Sequence, residues 1–172
     1  MKSTKFVRGI FGLILSCFVI AGITSCTPPG VSSVTDQITY LDTVEGVPDS
    51  FLGTWENNDY GQHSEYAVSK TKINDCMTKV LYNVVSTSTV TTTDGYTLVF
   101  CQVAEGSGTS YTPAGNYYVV GLKLSGDSLI ICCPLDYSSV YKTLEELQNE
   151  YTSSYSFAGS GNSGTVCTKM SV

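Results

Sequence analysis

Arginine occurs once in this chain, at Arg8, and histidine once, at His63. Basic residues of any kind are few, nine against 15 acidic ones, for a net charge of −6. Three of the nine, Lys2, Lys5 and Arg8, lie in the first eight positions; without them six basic residues face 15 acidic ones, a net charge of −9. Nucleic-acid binding needs a basic surface, so that partner class is disfavoured. An acidic surface gives solubility and repels anionic lipid headgroups. The lone histidine argues against acid–base or nucleophilic work, which needs convergent polar groups. His63 falls in a polar loop at about 58–64, where a solvated side chain is the plain reading. Gly106-Ser107-Gly108 and Gly159-Ser160-Gly161 lack the strand, lysine and helix of a phosphate loop. The Cys132-Cys133 pair has no Cys-x-x-Cys partner with which to build a soft-metal site. The expectation is a protein that is not an enzyme and uses no cofactor and no metal.

Long apolar runs are also missing, with one exception. Phe11 to Ile23 is apolar, follows the basic Lys2, Lys5 and Arg8, and is too short to span a bilayer comfortably. It ends in Ile23-Thr24-Ser25-Cys26. That ending resembles the lipobox of bacterial lipoproteins, with isoleucine where leucine is usual. The resemblance implies a signal peptide at 1–25, cleavage before Cys26, and diacylglycerol on the Cys26 sulfur. Several acyl chains on one residue give stable anchoring where a single chain does not. The other reading is an ordinary secretory signal with an incidental cysteine. Thr27-Pro28-Pro29-Gly30 then opens a polar, turn-rich stretch, so residues 26–47 read as the lipidated cysteine and a tether. Ile38 to Leu41 could form a short strand inside it.

Helix formers are scarce outside one segment, whereas Thr, Ser, Gly, Val and Tyr abound, with 12 tyrosines among 172 residues. This suits an all-β extracytoplasmic domain. At this length one domain plus extras is expected, and residues 48–172 suffice to bury a core. Strands are expected at about 54–57, 65–70, 71–73, 79–92, 96–103, 116–124, 128–133 and 164–170. Asp94-Gly95 and Gly126-Asp127 mark two tight hairpins. A two-residue turn at 126–127 pairs Ser125 with Ser128, Leu124 with Leu129, Leu122 with Ile131 and Val120 with Cys133. Their apolar members then share one face, which fixes the register, while Gly121, Lys123 and Cys132 face out. The other hairpin places Val80, Tyr82, Val84, Val90, Val99, Cys101 and Val103 inward, with Ser86 and Ser88 on that same face. Its other face carries Leu81, Leu98 and Phe100, so something must cover the outside. The cover is the one helix: Thr143-Leu144-Glu145-Glu146 is a capping box, and Leu144, Leu147 and Tyr151 form one apolar stripe.

Phe51-Leu52-Gly53-Thr54-Trp55-Glu56 holds the only tryptophan and starts the strand series. Gly53-x-Trp55, seven strands, a helix at 143–151 and a closing strand resemble, in that order, a lipocalin-like (calycin-type) barrel. The chain is similar to the small lipocalin-like domains of spirochaetal lipoproteins, over about residues 48–170. The resemblance implies an all-β fold: an eight-stranded antiparallel up-and-down barrel with one short helix before the last strand. It also implies that Gly53 and Trp55 close one end. Lipocalins set an arginine against that tryptophan; here Lys169 is the cation near enough to serve, through a cation–π contact without arginine's planar fork.

Alternating strand directions put the long connections, 58–64, 74–78, 104–115 and 134–163, on one rim. The tight turns, Trp55 and the tether share the other, so an open mouth would point away from the membrane. Tyr60, Tyr111, Tyr137 and Tyr141 fall on loops of that mouth; Tyr82, Tyr118 and Val120 fall on strands and face in. Of these, Tyr82, Tyr118, Val120, Tyr111 and Tyr60 are the candidate ligand-binding residues, for an apolar pocket with a few hydroxyls. For any one tyrosine the plain reading is a good strand residue with one wet end. Among the cysteines, a Cys132–Cys167 bridge is the pairing considered, with Val166 and Met170 inward; buried cysteines as small hydrophobes are the alternative. Two functions stand side by side: a membrane-anchored barrel holding a small apolar or amphipathic ligand, and a filled barrel that contacts a protein partner through its long rim loops.

Overall fold

The computed structural model describes residues 42–59, 63–134 and 140–171. Cys26, Tyr60, Tyr137 and the stretch around Ile38 lie outside the described residues. The strands are β1 (Thr43–Val44), β2 (Gly53–Asn57), β3 (Ser64–Val68), β4 (Lys72–Asp75), β5 (Val80–Thr91), β6 (Thr97–Val103), β7 (Tyr117–Ser125), β8 (Ser128–Cys132) and β9 (Thr165–Lys169). One 3-10 turn, Asp49–Phe51, precedes β2, and helix α1 (Leu144–Glu150) precedes β9. Every pairing is antiparallel and joins neighbours along the chain, except that β9 returns to β2 and β1 adds to β5. Strands β2 to β9 therefore close into an eight-stranded up-and-down barrel with a short helix before the last strand, the architecture the sequence led us to expect. Among the described residues no helix is long and apolar enough to cross a membrane.

The β7–β8 hairpin has the expected register, Ser125 opposite Ser128, Leu124 opposite Leu129 and Leu122 opposite Ile131. Alternation drives this result, because a one-residue slip would send Leu122, Leu129 and Ile131 to the wrong face. Those three join Val80, Val99, Cys101, Val103 and Val120 in the inner core. The outer face of the same wall is also apolar. Leu98, Phe100, Val119 and Cys132 pack beneath Leu147 and Tyr151 of the helix region and beneath Phe157. Helix α1 is fixed by its capping box: Thr143 Oγ1 accepts from Glu146 N at 3.2 Å, and Glu146 Oε2 accepts from Thr143 N at 3.0 Å. Gly121 serves this outer layer, since a Cβ there would sit 2.5 Å from the Phe157 ring.

Three expectations are corrected. The β5–β6 pairing runs Val84 with Cys101 and then Ser86 with Phe100, so Val85 is an extra residue and the alternation flips there. Thr87, not Ser86 or Ser88, faces the interior, where it is fully buried opposite Val99. Ser88 instead accepts a hydrogen bond from Leu98 N at 2.9 Å, and Val90 beyond it is exposed. The second correction concerns β9. Cys167 pairs with Leu129 and lies in the inner core, while Val166 is 49% exposed. Cys132 faces out, so Cys132 and Cys167 lie on opposite sides of the barrel wall and both are free thiols. The apolar, compact thiol takes the interior place in that register. Third, Leu124 follows the predicted parity but stands at the strand end, where it is largely exposed.

Residues 43–47, read from sequence as the end of the tether, belong to the barrel's sheet and core. Thr43 and Val44 pair with Ser88 and Thr87, and Val47 is fully buried, its N–H donating to Lys70 O at 2.9 Å. With Phe51 it packs into the end of the core that carries Trp55.

Candidate functional site

The strand order sorts the connections into two rims. The turns after β3, β5 and β7 are short and share one end with the start of β2. Trp55 is buried there, its indole N–H donating to Phe51 O at 2.9 Å. Lys169 is its direct cross-strand partner, with Nζ 5.3 Å from the ring centroid. Gly53 has φ +139°, a backbone conformation that favours glycine, and a Cβ there would press on the Lys169 side chain, 2.8 Å from its Cε. Gly53, Trp55 and Lys169 thus lie together at this end.

The opposite end is different. There the side chains facing the axis stop short of filling the barrel, and a pocket of about 520 Å³ opens among them. Its floor is Tyr82 of β5 and Tyr118 of β7, with stacked rings 5.7 Å apart and 17° from parallel. The Tyr118 hydroxyl donates to Pro134 O at 3.3 Å, at the start of the β8–β9 connection. Tyr66 of β3 and Asp75 of β4 form one wall as a direct cross-strand pair. Cys133 follows β8, and Thr78 comes from the turn between β4 and β5. Thr109, Tyr111 and Thr112 complete the rim from the loop between β6 and β7.

That loop is built to hold its shape. Thr109 and Thr112 share a hydroxyl hydrogen bond of 2.9 Å, and Thr109 Oγ1 also accepts from Thr112 N at 3.1 Å. Gly108 has φ +104°, with Thr112 O 2.5 Å from where a Cβ would be. Ser107 Oγ accepts from Leu81 N at 2.7 Å and ties the loop to β5. Tyr111 rides on this frame and is 62% exposed at the rim. Asp75 is positioned just as locally: its Oδ1 accepts from Met77 N at 3.0 Å and Thr78 N at 3.1 Å, turning the chain from β4 to β5.

Burial pushes the hydroxyl pKa values of Tyr66 and Tyr82 well up, with the Asp75 charge adding to both. Burial and then Asp75 push the Cys133 thiol up to about 12. All three are therefore neutral near pH 7. Among the described residues the site offers aromatic surface, hydroxyls and one carboxylate.

Of the candidate binding residues, Tyr82, Tyr118 and Tyr111 line this pocket. Val120 lies in the filled core, and Tyr60 lies outside the described residues. Tyr141 belongs to the outer layer, its ring 6.0 Å from that of Tyr151. Tyr66 and Asp75 were missed, although alternation points to them. Val68 and Ile73 are core residues, and two positions along each strand the inward places are Tyr66 and Asp75. Thr78, Thr109 and Thr112 carry no comparable signal. His63 does not line the pocket; it is exposed, with Nδ1 2.8 Å from Asn58 Oδ1 and Nε2 3.8 Å from Glu65 Oε2. Among the described residues no group of three or more His, Cys, Asp or Glu could hold a metal ion. A second depression, lined by Thr54, Ala67, Asn74 and Leu81 among others, lies on the outer wall rather than inside the barrel. Comparisons with protein-family models, curated proteins and solved structures find no match to this chain.

Proposed function

We propose that this chain is a membrane-anchored extracytoplasmic lipoprotein whose barrel mouth binds a small apolar or amphipathic ligand. The observation that carries the ligand half is the pocket of about 520 Å³ set inside the barrel end, with the stacked Tyr82 and Tyr118 as its floor. Its volume falls in the range of ordinary small-molecule sites, and its lining is aromatic with a few fixed polar groups. The anchor half rests on the sequence, where Ile23-Thr24-Ser25-Cys26 ends the apolar run. Anchored through Cys26, the chain would enter the barrel at the Trp55 end, leaving the tyrosine mouth directed away from the bilayer.

The test is native mass spectrometry of the full chain, released from micelles after incubation with an extract of the source organism's lipids and small molecules. The expected result is a reproducible adduct that Thr78→Trp abolishes. Thr78 is an exposed lining residue, so the indole enters the pocket without disturbing the core. A clean unliganded mass from the folded wild type would overturn the ligand reading. It would turn attention to a protein partner at the rim, where Tyr111 is exposed.

A further inference from the structure

Among the described residues, Asp75 is the only formally charged side chain lining the mouth pocket, and no Lys, Arg or His lines it. Its place is set by the strand. Ile73 faces the core, and two residues on, Asp75 faces the same way, directly across from Tyr66. Backbone N–H groups of Met77 and Thr78 hold Oδ1. Among the described residues neither a hydrogen bond to Oδ2 nor an ion pair to this carboxylate is found. By contrast Asp49, exposed at the other end, has Lys70 Nζ at 2.7 Å.

We propose that the pocket selects a small organic ammonium carried on an apolar body, the charge meeting Asp75 and the tyrosine faces while the body lies over the Tyr82–Tyr118 floor. The inference rests on the ligand reading above and narrows it. Three physical terms point the same way. A carboxylate with an unshared oxygen offers a charge-assisted hydrogen bond to N–H. Aromatic faces attract a cation, more strongly where water is displaced. An anionic amphiphile, such as a fatty acid, would bring a second carboxylate close to the first in a partly buried site, where like charges repel far more than in water. The net charge of −6 favours the approach of a cation from solution.

The experiment uses three probes of one chain length, octylammonium, octanol and octanoate, titrated calorimetrically into the full-length chain below their micellar concentrations. Octylammonium is expected to bind about tenfold tighter than octanol, with octanoate weakest. Asp75→Asn keeps the acceptor that Met77 and Thr78 use but removes the charge. It is expected to bring octylammonium down to the octanol level and leave octanol unchanged, with unaltered Trp55 fluorescence reporting an intact fold. Octanoate binding as well as octylammonium, or a cation preference that survives Asp75→Asn, overturns the inference and leaves the pocket reading standing. Binding by none of the three probes overturns both.

Discussion

Trp55 and Tyr82 both face the barrel axis, from opposite ends, and their surroundings show how one sheet makes two environments. Around Trp55 every inward position is filled: Phe51 caps the indole N–H, Val47 packs in from the preceding segment, and Lys169 lies over the ring. Around Tyr82 the inward positions carry tyrosine, threonine, cysteine and aspartate, and space remains. Eight strands enclose about as much volume as side chains can fill, so residue choice decides which end is solid. The two aspartates repeat the contrast. Asp94, in the β5–β6 turn, has both oxygens committed: Oδ1 accepts from Thr92 Oγ1 at 2.7 Å, and Oδ2 accepts from Ala158 N at 2.9 Å and Ser156 Oγ at 3.2 Å. Asp75 shares one oxygen with the backbone, and among the described residues the other has no hydrogen-bond partner. One carboxylate fastens the outer loop to a turn; the other lines the mouth pocket.

The contrast predicts where stability and binding reside. The largest expected effect is Trp55→Ala, which empties the solid end and should cost about 3–5 kcal/mol in urea unfolding. A loss below about 1 kcal/mol would mean that this end is not the packed anchor described here.

Next comes Asp94→Asn. Burial works against the Asp94 charge, but the bonds from Thr92, Ala158 and Ser156 outweigh it and hold the carboxyl below its ordinary value. A carboxyl lowered in the folded state stabilises above its unfolded pKa of about 3.9, and that contribution disappears as pH falls through the folded value. Asp94→Asn should therefore cost about 1–2 kcal/mol near neutral pH. The gap to wild type should close as the solution is acidified through the carboxylate range. A gap that is constant with pH would remove the electrostatic explanation.

The smallest effect on stability is expected at the mouth. Thr78→Trp should change unfolding free energy by no more than about 0.5 kcal/mol while removing ligand adducts. If it unfolds the chain instead, the mouth is part of the packed core and the two ends do not differ as described.

Much of this architecture was legible because it depends on local chemistry. Gly126-Asp127 and the apolar alternation around it were enough to set the β7–β8 register, and Thr143 with Glu146 marked the helix start. The Val85 bulge was not legible. Val84-Val85-Ser86 reads as smooth strand, and the flip follows from how β5 must bend between β4, β6 and β1. Everything beyond it, including Ser86, Ser88 and Val90, was therefore assigned to the wrong face. Cys167 was misplaced for a related reason: Val166 and Cys167 are both suited to burial, and only closure against β2 and β8 chooses between them. For the candidate site, Tyr82, Tyr118 and Tyr111 could be read from strand parity and loop position. Asp75 could have been, from the same alternation, but a carboxylate beside a turn looks like a turn residue until the barrel closes around it. Thr109 and Thr112 owe their place to a loop held by Gly108 and Ser107, and loop shape of that kind has no period to read.

The most direct test of the half-filled barrel is a ring-labelled tyrosine NMR spectrum of the full-length chain, titrated with octylammonium. The account predicts shifts at Tyr66, Tyr82, Tyr111 and Tyr118, with Tyr96, Tyr151 and Tyr155 of the outer layer unmoved. Shifts confined to those outer tyrosines, or none at all, would contradict it.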